Sequence, residues 1–296
     1  MSLPAKKRSR ARKNSPAARR RRVVGVGTHP DPDLKEHYFS ETFRGLRQAL
    51  GRRSRCSLVV NPPPGRAVDA LILLAPTEDD PLLRRARRDN IPTVLVNGCS
   101  HGFPCVDLDN ITAAFAAVSH LLRLGHRRVG MINGKMETAN GRDRYEGYRR
   151  ALAAHGISLD ETLVTEGRFS RAGGRTAMER LLSLPHRPTA VFAANDHMAL
   201  GALEAARHAG RRVPADVAVV GFDDIAAAAS SSPSLTTVRQ PLFQMAREAA
   251  NLLAPNDPPA RREGPGNPSS RRILLQGTLV VRKSCGAFPE KFFSAD

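Results

Sequence analysis

The stretch from 190 to 224, AVFAANDHMALGALEAARHAGRRVPADVAVVGFDD, permits few folds, because two apolar runs flank one amphipathic run. AVFAA (190–194) is short and apolar and ends at Asn195-Asp196, residues whose side-chain oxygens cap the first turn of a helix. Met198, Leu200, Leu203, Ala206 and Ala209 then fall mostly at three- and four-residue steps on one face, and Gly210 is a natural stop. VAVVGF (217–222) is a second unbroken apolar run, as a strand covered on both faces requires. The unit therefore predicts a right-handed strand–helix–strand crossover in a parallel sheet. Its strands deliver Asn195 and Asp223 at their carboxyl ends, the edge where open α/β sheets bind ligands. Taken singly, each residue reads equally well as a helix cap or a turn residue; together on one edge they form a candidate site.

The remaining chain can be divided in the same way. VVGVGT (23–28) predicts a strand, and Tyr38 to Leu50 a helix with Tyr38, Phe39, Phe43, Leu46 and Leu50 on one face. CSLVV (56–60) and DALILLA (69–75) predict strands, yet only NPPPGRAV separates them. Parallel neighbours need a crossover of roughly ten residues or more, usually helical. Either this lobe is trimmed on one face or these strands pair differently. A basic helix (81–90), strands at 92–97 and 103–110, and a nearly continuous apolar helix, ITAAFAAVSHLLRLG, capped by Asp109 or Asn110, follow. RRVGMING (127–134) predicts a strand opening a second lobe, with helices at 143–155 and 171–184 around a strand at 163–170. Beyond 224 come an Ala/Ser-rich loop (226–234), a crossing segment (235–241), an amphipathic helix (241–254), a Pro/Gly/Ser loop (256–270) and two short strands within 271–284.

Composition narrows the function. The formal net charge is +18, and residues 1–22 alone hold ten Lys/Arg and no acid. Such a run is a solvated arm, or one that neutralises DNA phosphates without reading sequence. Cys56, Cys99, Cys105 and Cys285 show no CxxC pair and no His at metal spacing, so reduced thiols and no metal site are expected. No apolar run approaches the roughly 18–20 residues of a membrane span, and no signal-peptide core follows the basic start. A soluble, cytoplasmic protein without a membrane partner is expected. No nucleophile elbow, phosphate loop, HExxH or GxGxxG occurs, which argues against an enzyme and against a cofactor.

The 191–224 segment followed by SPSLTTVRQP (232–241), with LDN (108–110), HLLRLGHRRVGMING (120–134) and RDRYEGYRRALAAHG (142–156) upstream in order, resembles the effector-binding core of the lactose/galactose repressor (LacI/GalR) family of bacterial transcription regulators. The resemblance covers about residues 23–283, most strongly from 90 onward. It implies a two-lobed, periplasmic-binding-protein-like α/β fold, each lobe a parallel sheet flanked by helices, joined by three crossover segments. The first lobe would take 23–124 plus 240–269 and the second 125–239 plus 270–285, with tails at 1–22 and 286–296. A sugar-like effector would lie between the lobes. Asp223 would accept from its hydroxyls, Asn195 accept and donate, Arg144 fork onto paired oxygens, Phe169 stack on its flat face and Gln240 touch it. From the first lobe His29, Tyr38, Phe39 and Thr112 are the candidates. Where the family often has Gly, Ala113 stands here.

The family's regulators are homodimers that bind operator DNA through a helix-turn-helix headpiece of about 50–60 residues. Residues 1–22 are too short and too charged for that motif, so we expect the headpiece to be absent from this chain. An excised core, a natural core-only protein and a basic arm that replaces the headpiece all fit, and the Met-Ser-Leu start favours the first. The rival functions are a nucleic-acid-associating protein acting through the basic tail and a stand-alone sugar-binding protein.

Overall fold

In the computed structural model the described residues are 22–28, 32–51, 56–77, 79–253 and 271–287. The first lobe is layered by alternation along its central strand β1 (Arg22–Gly27), where Val24 and Val26 face one side and Gly25 and Gly27 the other. Around it lie α1 (Pro32–Gly51), β2 (Cys56–Val60), β3 (Ala70–Leu74), α2 (Pro81–Arg88), β4 (Thr93–Val96) and β5 (Cys105–Leu108), with α8 (Leu242–Leu252) and β11 (Arg272–Leu275) returning from the far end of the chain. All six strands are parallel, in the order β11-β5-β4-β3-β1-β2. On the valine side, Val24, Val26, Ile72, Val94 and Val106 pack against Leu46 of α1 and Leu242, Met245 and Ala249 of α8. On the other side Leu71, Leu73 and Leu95 meet Leu83 and Ala86 of α2.

The short connection between β2 and β3 joins strands that are not neighbours, the second of the two expectations, and it carries no helix. Both strands pair with β1, on opposite sides, so the nine residues 61–69 cross it without a helix. Glycine makes the crossing possible. A Cβ at Gly25 would stand 2.6 Å from Leu71 Cδ2 and 2.9 Å from Pro62 Cγ, so the connection and its neighbour's side chains rest directly on the strand.

The second lobe contains α3 (Asn110–Arg123), β6 (Val129–Asn133), α4 (Ala139–Ala154), β7 (Val164–Glu166), α5 (Arg171–Leu182), β8 (Ala190–Ala193), α6 (Asp196–His208), β9 (Ala218–Val220) and α7 (Ala226–Ser230). Its parallel sheet runs β7-β6-β8-β9. One core of small and aliphatic side chains joins sheet and helices. The helices approach closely because glycines face them: a Cβ at Gly147 of α4 would come 2.4 Å from the Ile111 carbonyl oxygen of α3, and one at Gly174 of α5 2.3 Å from that of Met198 in α6. Finally β10 (Thr237–Arg239) and β12 (Thr278–Val280) form a separate antiparallel pair, and isolated bridges Val220–Thr236 and Asp223–Arg239 tie it to the end of β9. The chain therefore crosses between lobes three times, after β5, after β10 and after β11.

Several expectations are corrected. The first lobe ends near Leu108 rather than at 124, because Ala113, Ala117 and Leu121 of α3 pack in the second lobe's core. Residues 272–275 lie in the first sheet, not the second lobe, because β11 pairs with β5. The first helix begins at Pro32 rather than Tyr38, and the Ala/Ser-rich loop holds the one-turn helix α7. Cys99 and Cys105 are not free thiols but a disulfide, since the register Leu95–Cys105 folds the connection after β4 back beside the start of β5. Cys56 and Cys285 are free. Residues 1–21 and 288–296 lie outside the described residues, as does the whole Pro/Gly/Ser loop (256–270). Among the described residues no helix is long and apolar enough to cross a membrane.

Gly147→Ala is expected to destabilise the second lobe by about 1–3 kcal/mol, because its Cβ meets helix backbone that cannot swing away. Gly51→Ala, at the open end of α1 with nothing within 4 Å, should be neutral or stabilising by up to about 1 kcal/mol. Urea denaturation of both variants measures the difference.

Candidate functional site

The carboxyl ends of both sheets face the crossings, and the polar side chains concentrate there. Thr138 caps α4 by accepting the Gly141 amide at 3.1 Å, which sets the helix so that Arg144 points inward from its second turn. Arg144 is 2% exposed. Its Nε donates to Asn110 Oδ1 at 2.9 Å and its Nη1 to the Ala194 carbonyl at 2.5 Å. Nη1 also lies 3.6 Å from Asp223 Oδ1, and the guanidinium carbon stands 3.8 Å above the Phe222 ring centroid. A buried cation is tolerated only when so paired, since its desolvation costs several kcal/mol, about as much as the pairing returns. The planar group also takes the ring face as a partner.

Asp223 follows β9 at φ 118°, a region few non-glycine residues occupy and one that costs on the order of 1–3 kcal/mol. The conformation is held by its amide, which donates to the Val238 carbonyl at 2.8 Å, and by Gln240 Nε2, which donates to Asp223 Oδ1 at 2.6 Å. Gln240, at the crossing out of β10, is buried. Asn195 fulfils the cap expected of it, accepting the Met198 amide at 2.9 Å, while its Nδ2 donates to the Phe169 carbonyl at 3.1 Å. Phe169 is half-buried at φ 61°, with its ring against Gly134, where any Cβ would overlap it. Gly134 is thus a seat for the aromatic ring.

Arg144, Asp223 and Gln240 therefore form one contact chain, and Asn195 with Phe169 adjoins it through Ala194. The structure does not bring the remaining candidates into this chain. Thr112 is exposed, and its amide is taken by the N-cap Asp109 at 3.0 Å. Phe39 stacks on Phe43 of its own helix at 4.9 Å between centroids. Tyr38 lies in α1 with its side chain outside what is described, and His29 lies outside the described residues.

Four participants were not singled out from sequence. Asn110 is buried and, besides accepting from Arg144, donates to the Leu108 carbonyl at 3.2 Å and to Asn140 Oδ1 at 3.3 Å; its place in LDN was the available signal. Phe222, the ring beneath Arg144, read only as strand core. Asp196 is fully buried, accepting from Thr237 Oγ1 at 2.6 Å and from the Ile225 amide at 3.0 Å. Its burial, with Asp223 and Asp224 nearby, drives its carboxyl well above the ordinary range against those two donors. Asp107 of β5 is also buried. Desolvation pushes its carboxyl up to about 6, while the Leu108 amide, Arg272 and Arg144 pull the other way. Beside the site, Asp224 takes Arg239 Nε and Arg282 Nη2, each at 2.6 Å, and so ties the β9 end to both strands of the connecting pair.

The arrangement offers a guanidinium, two amides, a carboxylate and a ring at one sheet edge. That set suits a small neutral molecule with several hydroxyls. Among the described residues no group of three His, Cys, Asp or Glu could hold a metal ion.

Residues 118–285 match a family model described as a periplasmic binding protein-like domain. The chain is 40% identical over 225 residues to the transcriptional regulator CelR of Thermobifida fusca, covering 74% of this chain and 64% of that protein. It is 33% identical over 277 residues to the transcriptional repressor CytR of Escherichia coli, covering 87% of this chain and 78% of that one. The chain thus spans just under two thirds of CelR's length. The solved CelR–cellobiose complex superposes with a TM-score of 0.75 at 34% identity, over 89% of this chain and 85% of that one.

A carboxyl raised in the folded state above its unfolded value of 3.8 binds a proton that the unfolded chain has released, so it lowers stability as pH rises between the two values. For Asp107 the loss is complete above about 6 and amounts to about 3 kcal/mol. Asp107→Asn should therefore melt above the parent at pH 7.5, with the gap closing by about pH 4. A gap that does not vary with pH in thermal melts would contradict this origin.

Proposed function

The chain belongs to the LacI/GalR family of bacterial transcription regulators, and on that premise we propose that its cleft binds a small sugar-like effector whose capture sets the angle between the lobes. The observation that carries this reading is the buried Arg144 fork, held between Asn110, the Ala194 carbonyl and Asp223 at the edge where the chain crosses between lobes. Arg144 donates to adjacent ligand oxygens, Asp223 accepts, Asn195 does both, Phe169 offers its face and Gln240 keeps Asp223 oriented. Cellobiose, the molecule in the CelR complex, is the first candidate by class.

Ligand acts by differential affinity for open and closed lobes. The Asp224 bridge to Arg239 and Arg282 keeps the connecting strands moving with the second lobe, so closure is read at the first lobe. In a homodimer acting in the cytoplasm, that displacement alters how paired headpieces meet the two halves of an operator. The relatives are regulators, and a regulatory rather than enzymatic role is proposed here too. A second reading, non-specific association with nucleic acid, is favoured by the ten Lys/Arg within residues 1–22. Deleting that segment would then abolish a salt-dependent DNA affinity and leave ligand binding unchanged.

A thermal-shift panel of mono- and disaccharides including cellobiose tests the main reading. A ligand at a hundredfold its Kd stabilises by about 2.7 kcal/mol and raises Tm by several degrees. Arg144→Ala should weaken binding by about 2–5 kcal/mol, since it strands a buried carboxylate. Arg144→Lys keeps the charge but loses the fork and should also bind poorly. No saccharide shift in the parent protein, alongside tight DNA binding through the tail, would overturn the effector reading.

A further inference from the structure

The Cys99–Cys105 disulfide has no part in the effector-binding set, but it touches Asp107 of β5. The pair spans the connection between β4 and β5, with Cα atoms 5.5 Å apart and a sequence separation of 6. Cys105 opens β5 and is 3% exposed, whereas Cys99, three residues beyond Val96, is half-buried. The residues between them are held independently of the bridge. Arg87 Nη2 donates to Ser100 Oγ at 2.8 Å, and the same guanidinium lies 5.5 Å from the Phe103 centroid. Phe103, like Cys105, belongs to the packed layer under α2. Opening the bridge therefore leaves two thiols side by side, ready to close again.

One contact links the pair to the cleft. Cys99 Sγ lies 3.8 Å from Asp107 Oδ2, and Asp107 is 1% exposed, with its other oxygen accepting the Leu108 amide. A disulfide sulfur carries no proton, so in the bridged form this is contact only. A reduced Cys99 carries an S–H that donates to Oδ2 and favours the ionised carboxylate. The charged groups that act on Asp107 are Arg272 of β11 and Arg144 and Asp143 of α4. Asp107 thus shares the field of the Arg144 guanidinium.

We propose that Cys99 and Cys105 form a reversible thiol–disulfide switch at the first-lobe edge of the cleft, through which cellular redox state adjusts the Asp107 carboxyl and with it the effector site. The external partner is a low-molecular-mass thiol and its disulfide. A thiolate attacks the sulfur of Cys99, the less buried of the two, the S–S bond breaks, and Cys105 leaves as a thiolate and takes up a proton. A second external thiolate then attacks the mixed disulfide and releases Cys99, which is protonated. Two electrons and two protons pass to the protein, and the external thiols leave as their disulfide. Closure is the reverse, driven by an oxidised pool.

The effect on the effector site rests on the proposed function, but the switch can be measured without a ligand. The full chain is equilibrated natively in oxidised and in reduced glutathione, then denatured and alkylated. Two alkylated cysteines in the oxidised sample and four in the reduced one are expected. Melts of the two forms should differ by several degrees at pH 7.5 and should differ in their pH dependence between about 4 and 7, a readout that simple tightening of the loop would not move. Cys99→Ser with Cys105→Ser should abolish both differences, and Asp107→Asn should keep the alkylation pattern but lose the difference in pH dependence. Cellobiose affinity should change at least threefold between forms. Four alkylated cysteines in oxidised glutathione, two in reduced glutathione, or coincident melts and pH profiles would overturn the switch. If cellobiose binds neither form while alkylation and melts behave as expected, the switch stands and the effector class is what fails.

Discussion

A guanidinium with 2% of its surface exposed must find its partners inside the protein, and around Arg144 that demand organises the edge of the second lobe that faces the crossings. Asn110 supplies an acceptor from the first crossing, Ala194 a carbonyl from the end of β8, Asp223 a carboxylate from the end of β9, and Phe222 a ring face. Each partner is itself held. Asn110 is tied to Leu108 and Asn140, and Asp223 is held at φ 118° by Val238 and Gln240. The strain at Asp223 persists because the surrounding bonds leave the residue no alternative. A guanidinium whose partners are already in place is preorganised and needs little reordering.

Close approach is the second constraint, and glycine sets it. In the second lobe Gly147 and Gly174 let helix pairs touch backbone to backbone. In the first, Gly25 lets Pro62 and Leu71 lie on β1, so a nine-residue connection does what a crossover helix would otherwise do. Side chains resting on a bare strand replace a missing layer at the cost of thickness on that face. Gly134 has the corresponding role at the cleft, where only a hydrogen leaves space for the Phe169 ring.

Much of this was legible along the chain. The 190–224 unit appears as β8, α6 and β9, with Asn195 capping and Gly210 at φ 67° closing the helix, because caps, stops and apolar periodicity act within a few residues of one another. Arg144, Asp223 and Gln240 were recognised as candidates and do meet. Thr112 and Phe39 were recognised by position alone. In the structure the Thr112 amide bonds Asp109 and Phe39 stacks on Phe43, contacts that a helix offers among its own neighbours. The disulfide was missed because six residues of spacing say nothing of a register that turns the connection back on itself.

By itself the sequence determined most of the elements, their order and the sheet edge at which polar residues collect, since each of these follows from local periodicity and backbone sterics. Tertiary structure alone decided where the lobes divide. It placed α3 in the second core and β11 in the first sheet, since both choices depend on which distant apolar face or strand edge is still uncovered. It also decided which carboxyls lose water. Asp196 meets Thr237 across 41 residues of chain, and Asp107 lies against a sulfur and within the field of Arg144. Desolvation is a property of the assembled surroundings, so no reading of neighbours in the chain could have supplied it.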